Sequence, residues 1–134
     1  MKRTAPQSTA AGRQEKGRRG EDAACQYLAD RGHLILARNW RSGHEELDIV
    51  TLAPDGLHFV EVKTRTAPAP APPQDNVDCR KRQHVASAAR RWLRTKDHAK
   101  FAAYEIFFDI VAVTLDGDAV GIDYFPAAFV PIYT

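Results

Sequence analysis

The sequence predicts an α/β protein in three layers, a mixed sheet of about five strands with a helix on each face, in the order α-β-β-β-α-β-β. Two stretches repeat apolar residues at helical spacing. Five others are short, rich in β-branched and aromatic residues, and bounded by turn signals. At 134 residues the chain has the length of one ordinary domain, enough for one core and too little for two.

The first element is a helix over Gly17 to Arg31. Ala24, Tyr27, Leu28 and Arg31 fall at i, i+3, i+4 and i+7, and Gly32 supplies the stop. Residues 1–12 lack periodicity and are expected as a flexible tail, which leaves 13–134 as the single domain. His33 to Ala37 reads as a short strand around Leu34, Ile35 and Leu36, and Arg41 to His44 as a turn. Glu46–Leu52 and Leu57–Arg65 are strands on either side of a tight loop, Ala53 to Gly56. The loop 66–75 contains Pro68, Pro70, Pro72 and Pro73 and suits neither a helix nor a central strand. As a polyproline-like spacer at ~3.1 Å per residue it spans the distance between sheet edges.

Val77 to Lys96 is the clearest helix, with Val85, Ala88, Ala89, Trp92 and Leu93 in one apolar stripe. Tyr104 to Thr114 is a strand, Asp116 to Asp118 a hairpin turn, and Ala119 to Tyr124 the last strand. Phe125 to Thr134 is an apolar, proline-punctuated tail expected to pack on the core. The strand–helix–strand unit through residues 57–113 is expected to cross over with a right hand.

Several classes fall away. The longest nearly uninterrupted apolar run, Ile106 to Val113, is broken by Asp109, whereas a membrane span needs ~20 residues. No membrane partner is therefore expected. The first 20 residues are basic and polar, with no apolar segment of a secretory signal. Cys25 and Cys79 stand far apart in no CxxC pattern, which argues against a disulfide scaffold or a cysteine zinc site. Two free thiols point to a reducing, cytoplasmic setting.

The formal net charge of +2 hides a segregation along the chain. Residues 77–100 carry eight basic and two acidic side chains, whereas 101–134 carry five acidic and no basic ones. A basic segment between acidic ones suits a polyanion partner such as nucleic acid. The plainer alternative is a solvated helix face.

The chemistry gathers in the hairpin of the second and third strands. If Leu52 and Leu57 close the loop, Asp48 lies opposite Glu61 and Glu46 opposite Lys63, all four on one face. Opposed carboxylates are destabilising unless they share a proton or a cation, and oxygen ligands suit a hard cation. Edge strands carry Glu and Lys freely, so spacing alone is a weak signal. The apolar neighbours Ile49, Val50, Phe59, Val60 and Val62 indicate central strands, where unpaired acids are costly.

At these residues the chain resembles the PD-(D/E)xK restriction-endonuclease-like superfamily and, more narrowly, the uncharacterised bacterial YraN family of predicted endonuclease-like proteins. The matching stretches begin with Gly17-x-x-Gly20-Glu21-x-x-Ala24-x-x-x-Leu28-x-x-x-Gly32 and Ala37-Arg38-Asn39-Trp40-Arg41. They continue with Glu46-Leu47-Asp48-Ile49-Val50 and Phe59-Val60-Glu61-Val62-Lys63-Thr64-Arg65. Lys81 with the helix of Ala88, Ala89 and Leu93 follows, then Phe108-Asp109-Ile110-Val111. Together they cover Gly17 to Val113. There are two departures: Glu45 where the family usually has Gly, and Phe107 where it usually has Arg.

The resemblance implies a restriction-endonuclease-like fold and hydrolysis of DNA phosphodiester bonds. Asp48 and Glu61 would hold Mg²⁺ (or Mn²⁺), Lys63 would orient the attacking water, and Glu21 would be an accessory acid, as in related Holliday-junction resolvases. Glu21 reads equally well as a helix-start carboxylate favourable to the dipole. DNA contacts are expected at Arg38, Arg41, Arg65, Arg80, Lys81, Arg82 and His84. Resolvase-like relatives act as dimers, and the apolar tail offers a homodimer interface. Trp40 reads as a base-stacking or a core residue, and Trp92 as core. His33, His44, His58, His84 and His98 show no ligand spacing and read as surface or satisfied residues, while Asp109 in an apolar strand has no assigned partner. The competing functions are a nucleic-acid-binding module with little or no catalysis and a protein-interaction domain with an acidic partner.

Overall fold

In the computed structural model, residues 10–68 and 79–129 are described. Helix α1 (Ala10–Asp30) leads into strands β1 (Leu34–Ser42), β2 (Glu45–Ala53) and β3 (Gly56–Thr66). Helix α2 (Cys79–Arg94), a short 3-10 turn (Ala99–Ala103) and strands β4 (Ile106–Asp116) and β5 (Ala119–Phe125) complete the order. The five strands lie side by side in the order β1-β2-β3-β4-β5. β3 and β4 are parallel, and the other neighbours are antiparallel. The predicted mixed sheet with a helix on each face is therefore present. Among the described residues no helix is long and apolar enough to cross a membrane.

The two cores follow from strand alternation. Leu57 and Phe59 of β3, with Val50, Phe108 and Ile110, meet Val85, Ala88, Ala89 and Trp92 of α2. On the other face Ile49, Val60, Val111 and Val113 meet Ala24, Cys25 and Leu28 of α1. Each helix thus lays the apolar stripe visible in its sequence against one side of the sheet. Cys25 is a buried free thiol.

Helix α1 starts well before the expected Gly17, so residues 10–12, read from sequence as tail, are helical. Its first half is rich in Ala, Gln, Glu, Lys and Arg, which favour a helix without any apolar periodicity to betray it. β1 runs on past Ala37 to Ser42 and absorbs half of the expected turn, because Arg38 to Ser42 pair with Glu45 to Ile49. A register shift between Ile35 and Ala37 masks the pattern. The 3-10 turn, which the sequence does not announce, sets His98 and Phe101 against the Trp92 ring. Of the apolar tail, Phe129 is buried in the α2-side core, while residues 130–134 lie outside the described residues. Most of the proline-rich loop 66–75 and residues 1–9 also lie outside them.

Gly20 permits the approach of α1 to the sheet, because a Cβ there would run into the Thr64 side chain. Gly20→Ala is expected to destabilise the protein by about 1–3 kcal/mol in urea unfolding, the scale of overpacking a filled interface. An unchanged midpoint would show that the helix shifts freely.

Candidate functional site

The described β2–β3 pairing keeps the predicted register, with Val50 opposite Phe59 and Leu52 opposite Leu57, and ends at the Ile49–Val60 pair. Asp48 and Glu61 are the next residues on the two strands, where β2 stays paired to β1 and β3 to β4. Asp48 Oδ2 accepts the Val62 N–H at 2.9 Å, so the side chain takes a backbone donor at the point where the strands part.

The partly buried Asp48 carboxyl is pushed up to about 7, first by burial and then by the Glu61 charge. Glu21 of α1 pushes it further, while the Val62 bond and Lys81 pull it down. Glu61 is buried and meets Lys81 Nζ of α2 at 2.5 Å. Burial alone would lower the Lys81 ammonium, but the charge and hydrogen bond of Glu61, with Lys63 and Asp48, together outweigh it and hold the group above its usual range. Lys63 on β3 stands in side-chain contact with Lys81. Asp48, Glu61, Lys63 and Lys81 are thus brought together.

Glu21 closes the site from the α1 side. Its carboxyl is raised by burial, against the pull of Asn39 and Arg38. With its amide turned to satisfy both groups, Asn39 donates to Glu21 Oε1 at 2.6 Å. Asn39 sits at φ 51, a left-handed conformation that Asn tolerates better than most residues.

The remaining residues singled out by the sequence have other partners. Glu46 does not face Lys63; it pairs with Arg41 of β1 at 3.6 Å, because β2 leaves β3 before that register is reached. Arg38 pairs with Asp22 at 2.7 Å, so both β1 arginines are engaged with acids of the chain itself. Arg65 Nε donates to Thr114 Oγ1 at 3.4 Å. Arg82 lies over the Phe129 ring, 5.6 Å from its centre, with Nε buried. His84 is exposed, and the Arg80 side chain lies outside the described residues. Trp40 packs on the α2-side core, and Trp92 is fully buried.

Lys81, from which a phosphate contact is expected, pairs with Glu61. Its position carries the signal: Lys81 precedes Val85 by four residues and so lies on the inward face of α2. A second polar group centres on Asp109, which is fully buried. Asp109 accepts from Tyr124 Oη at 2.6 Å and from the Ala127 N–H at 2.8 Å, and bonds His58 Nδ1 at 2.5 Å. His58 is thus a satisfied histidine, as expected, but one deep in the fold. Phe107, standing where the resembled family usually has arginine, stacks on the His58 ring at 4.8 Å, and His58 is the group paired with Asp109.

Among the described residues no three His, Cys, Asp or Glu side chains gather into a metal-binding group. Two adjacent carboxylates still fit Mg²⁺, which keeps several waters and uses one or two carboxylates in place of an all-protein cage. The Asp48 carboxyl is raised by burial first and by the Glu61 charge second, and a cation between the two would lower it.

The sequence model of the uncharacterised protein family UPF0102 matches residues 20–113. A UPF0102 protein of Nitratidesulfovibrio vulgaris (strain DP4) is 41% identical over 117 residues, covering 87% of this chain and 85% of the relative. One of Anaeromyxobacter dehalogenans (strain 2CP-C) is 41% identical over 118 residues, covering 88% and 86%. One of Stutzerimonas stutzeri (strain A1501) is 38% identical over 116 residues, covering 87% and 95%.

Proposed function

We propose that this chain, which belongs to the uncharacterised protein family UPF0102, is a metal-dependent endonuclease of the PD-(D/E)xK restriction-endonuclease-like superfamily. It hydrolyses DNA phosphodiester bonds, with branched DNA among its substrates. The observation that carries this reading is the meeting of Asp48 and Glu61 where β2 and β3 part, beside Lys63 and Lys81.

Asp48 and Glu61 are the residues that would hold Mg²⁺ or Mn²⁺. The chemistry such an ion supplies is a more acidic water and a counter-charge at the phosphate. Lys63 presents a fixed ammonium to the attacking water and to the phosphate oxygens, where charge grows in the transition state. Lys81 balances Glu61 and is the natural second contact for a phosphate. Glu21, across from Asp48, is the accessory acid that adds to the negative field around the ion. The exposed α2 residues Arg90, Arg91 and Arg94 supply backbone contacts, each adding about one counterion to the salt dependence of binding.

A second reading is a nucleic-acid-binding module with little or no catalysis. The Lys81–Glu61 pair favours it, because one carboxylate already has a cation. Cleavage of supercoiled, single-stranded and four-way-junction DNA with Mg²⁺ or Mn²⁺ separates the two. The wild type is expected to cut at least one substrate, and Asp48→Asn and Lys63→Ala to cut none. Activity surviving both substitutions overturns the catalytic assignment; binding without cleavage on every substrate establishes the second reading.

A further inference from the structure

An open cavity of about 310 Å³ lies at the hairpin end of β2 and β3, on the α1 side of the sheet, apart from Asp48 and Glu61. That volume is at the lower end of small-molecule sites. One wall is the His58 imidazole, only 2% exposed, which bonds a carboxylate at each nitrogen. The inner partner, Asp109, is fixed by three hydrogen bonds and complete burial. The outer partner, Asp55, meets His58 Nε2 at 2.7 Å from the β2–β3 turn, with its side chain 62% exposed. An imidazole held from behind by a buried carboxylate has its outer N–H aimed at the cavity, and a surface acid occupies that place.

A second cation stands at the rim. The Arg31 guanidinium lies over the rings of Tyr27 and Tyr124, at 5.3 and 5.9 Å, and makes no ion pair among the described residues. The two rings stand at 70° to each other and hold the cation between them at the cavity rim. The rest of the lining is largely apolar, with the rings of His33 and Tyr124 set edge to face beside Pro54 and Pro126. Two cationic groups and an edge-to-face pair of rings around one cavity suit an anion carried on an aromatic ring.

We propose that this cavity is a second binding site, for a small molecule bearing a phosphate or carboxylate on a planar ring, and that Asp55 holds the place of its anionic group. The ligand oxyanion displaces Asp55 from His58 Nε2 and pairs with Arg31, and its ring enters the corner formed by Tyr124 and His33. Asp55 is then an internal competitor, and removing it strengthens binding.

The test is calorimetric titration of the full chain with phenyl phosphate, benzoate and inorganic phosphate, with ¹⁵N NMR of the imidazole nitrogens alongside. Asp55→Ala is expected to bind the preferred ring-bearing probe about tenfold more tightly than the wild type, the scale of one charged hydrogen bond. Arg31→Ala is expected to lose about as much. The His58 Nε2 resonance is expected to move on binding, and inorganic phosphate to bind more weakly than phenyl phosphate. The stronger of the two ring-bearing probes identifies the oxyanion. Should Asp55→Ala fail to fold, Asp55→Asn keeps an acceptor for His58, removes the charge and is expected to show the same order. Binding unchanged by Asp55→Ala or by Arg31→Ala overturns the proposal, as does a His58 resonance that stays still.

Discussion

At pH 8 and without metal, Asp48→Asn is expected to make the protein more stable than the wild type; with Mg²⁺ present, the same variant is expected, on the proposed nuclease reading, to lose DNA cleavage. The Asp48 carboxyl sits at about 7 in the folded chain against its ordinary 3.8. A raised carboxyl binds its proton more tightly folded than unfolded. Its effect therefore turns against folding as pH rises from about 4 towards 7, and is complete above 7. Asparagine carries no charge to desolvate or to face Glu61, yet still offers an oxygen to the Val62 N–H. The gain at pH 8 is a few kcal/mol, at about 1.4 kcal/mol per pKa unit, and it vanishes below pH 4. Urea unfolding at pH 4 and pH 8 reads it directly. Added Mg²⁺ is expected to stabilise the wild type at pH 8 and to leave Asp48→Asn unmoved. The loss in cleavage is about 10²-fold or more, the scale of removing one preorganised electrostatic group. A variant less stable than the wild type at pH 8 would contradict the electrostatic account of this site.

The second large effect is at Asp109. Asp109→Asn is expected to destabilise the fold by about 3–5 kcal/mol, because it leaves a buried imidazolium without its inner counter-charge. Burial alone would lower His58, but its bonds to Asp109 and Asp55 outweigh that and raise it above 6.5. A raised histidine contributes stability that is fully present below its unfolded value of about 6.5. That contribution is lost as pH rises through the folded value. Asp109→Asn should therefore flatten this part of the pH profile as well as lower it. Tyr124→Phe removes one of the three hydrogen bonds to Asp109 and costs about 1 kcal/mol. Thermal melts at pH 6 and pH 8 test both, and equal losses in the two variants would refute the role given to the charge.

The carboxylate pair is legible in the sequence because it depends on local rules. Alternation puts Asp48 and Glu61 on one face of their strands, and the tight turn between the paired Ala53 and Gly56 sets a register that leaves them facing each other just past the last pair. The α2 stripe is equally plain, since Val85, Ala88, Ala89 and Trp92 repeat at one period without interruption. Glu46 departs from its expected place for a reason outside the hairpin: β2 follows β1 past Ile49, so Glu46 meets Arg41 in place of Lys63. Lys81 reads as a phosphate contact because a cation on a basic helix suggests a solvent-facing side chain, although its phase on the helix turns it to Glu61.

Short-range spacing along the chain encodes a definite share of this architecture. That includes the α/β order, the two helix faces, the β2–β3 register and the juxtaposition of Asp48 with Glu61. The docking of whole elements sets which groups meet from afar: Glu21 of α1 beside Asp48, Lys81 of α2 on Glu61, and His58 on Asp109 across the parallel β3–β4 pair. The physical reason is separation along the chain. Periodicity fixes which way a side chain points within its own element, whereas the neighbour it meets depends on how that element docks against another.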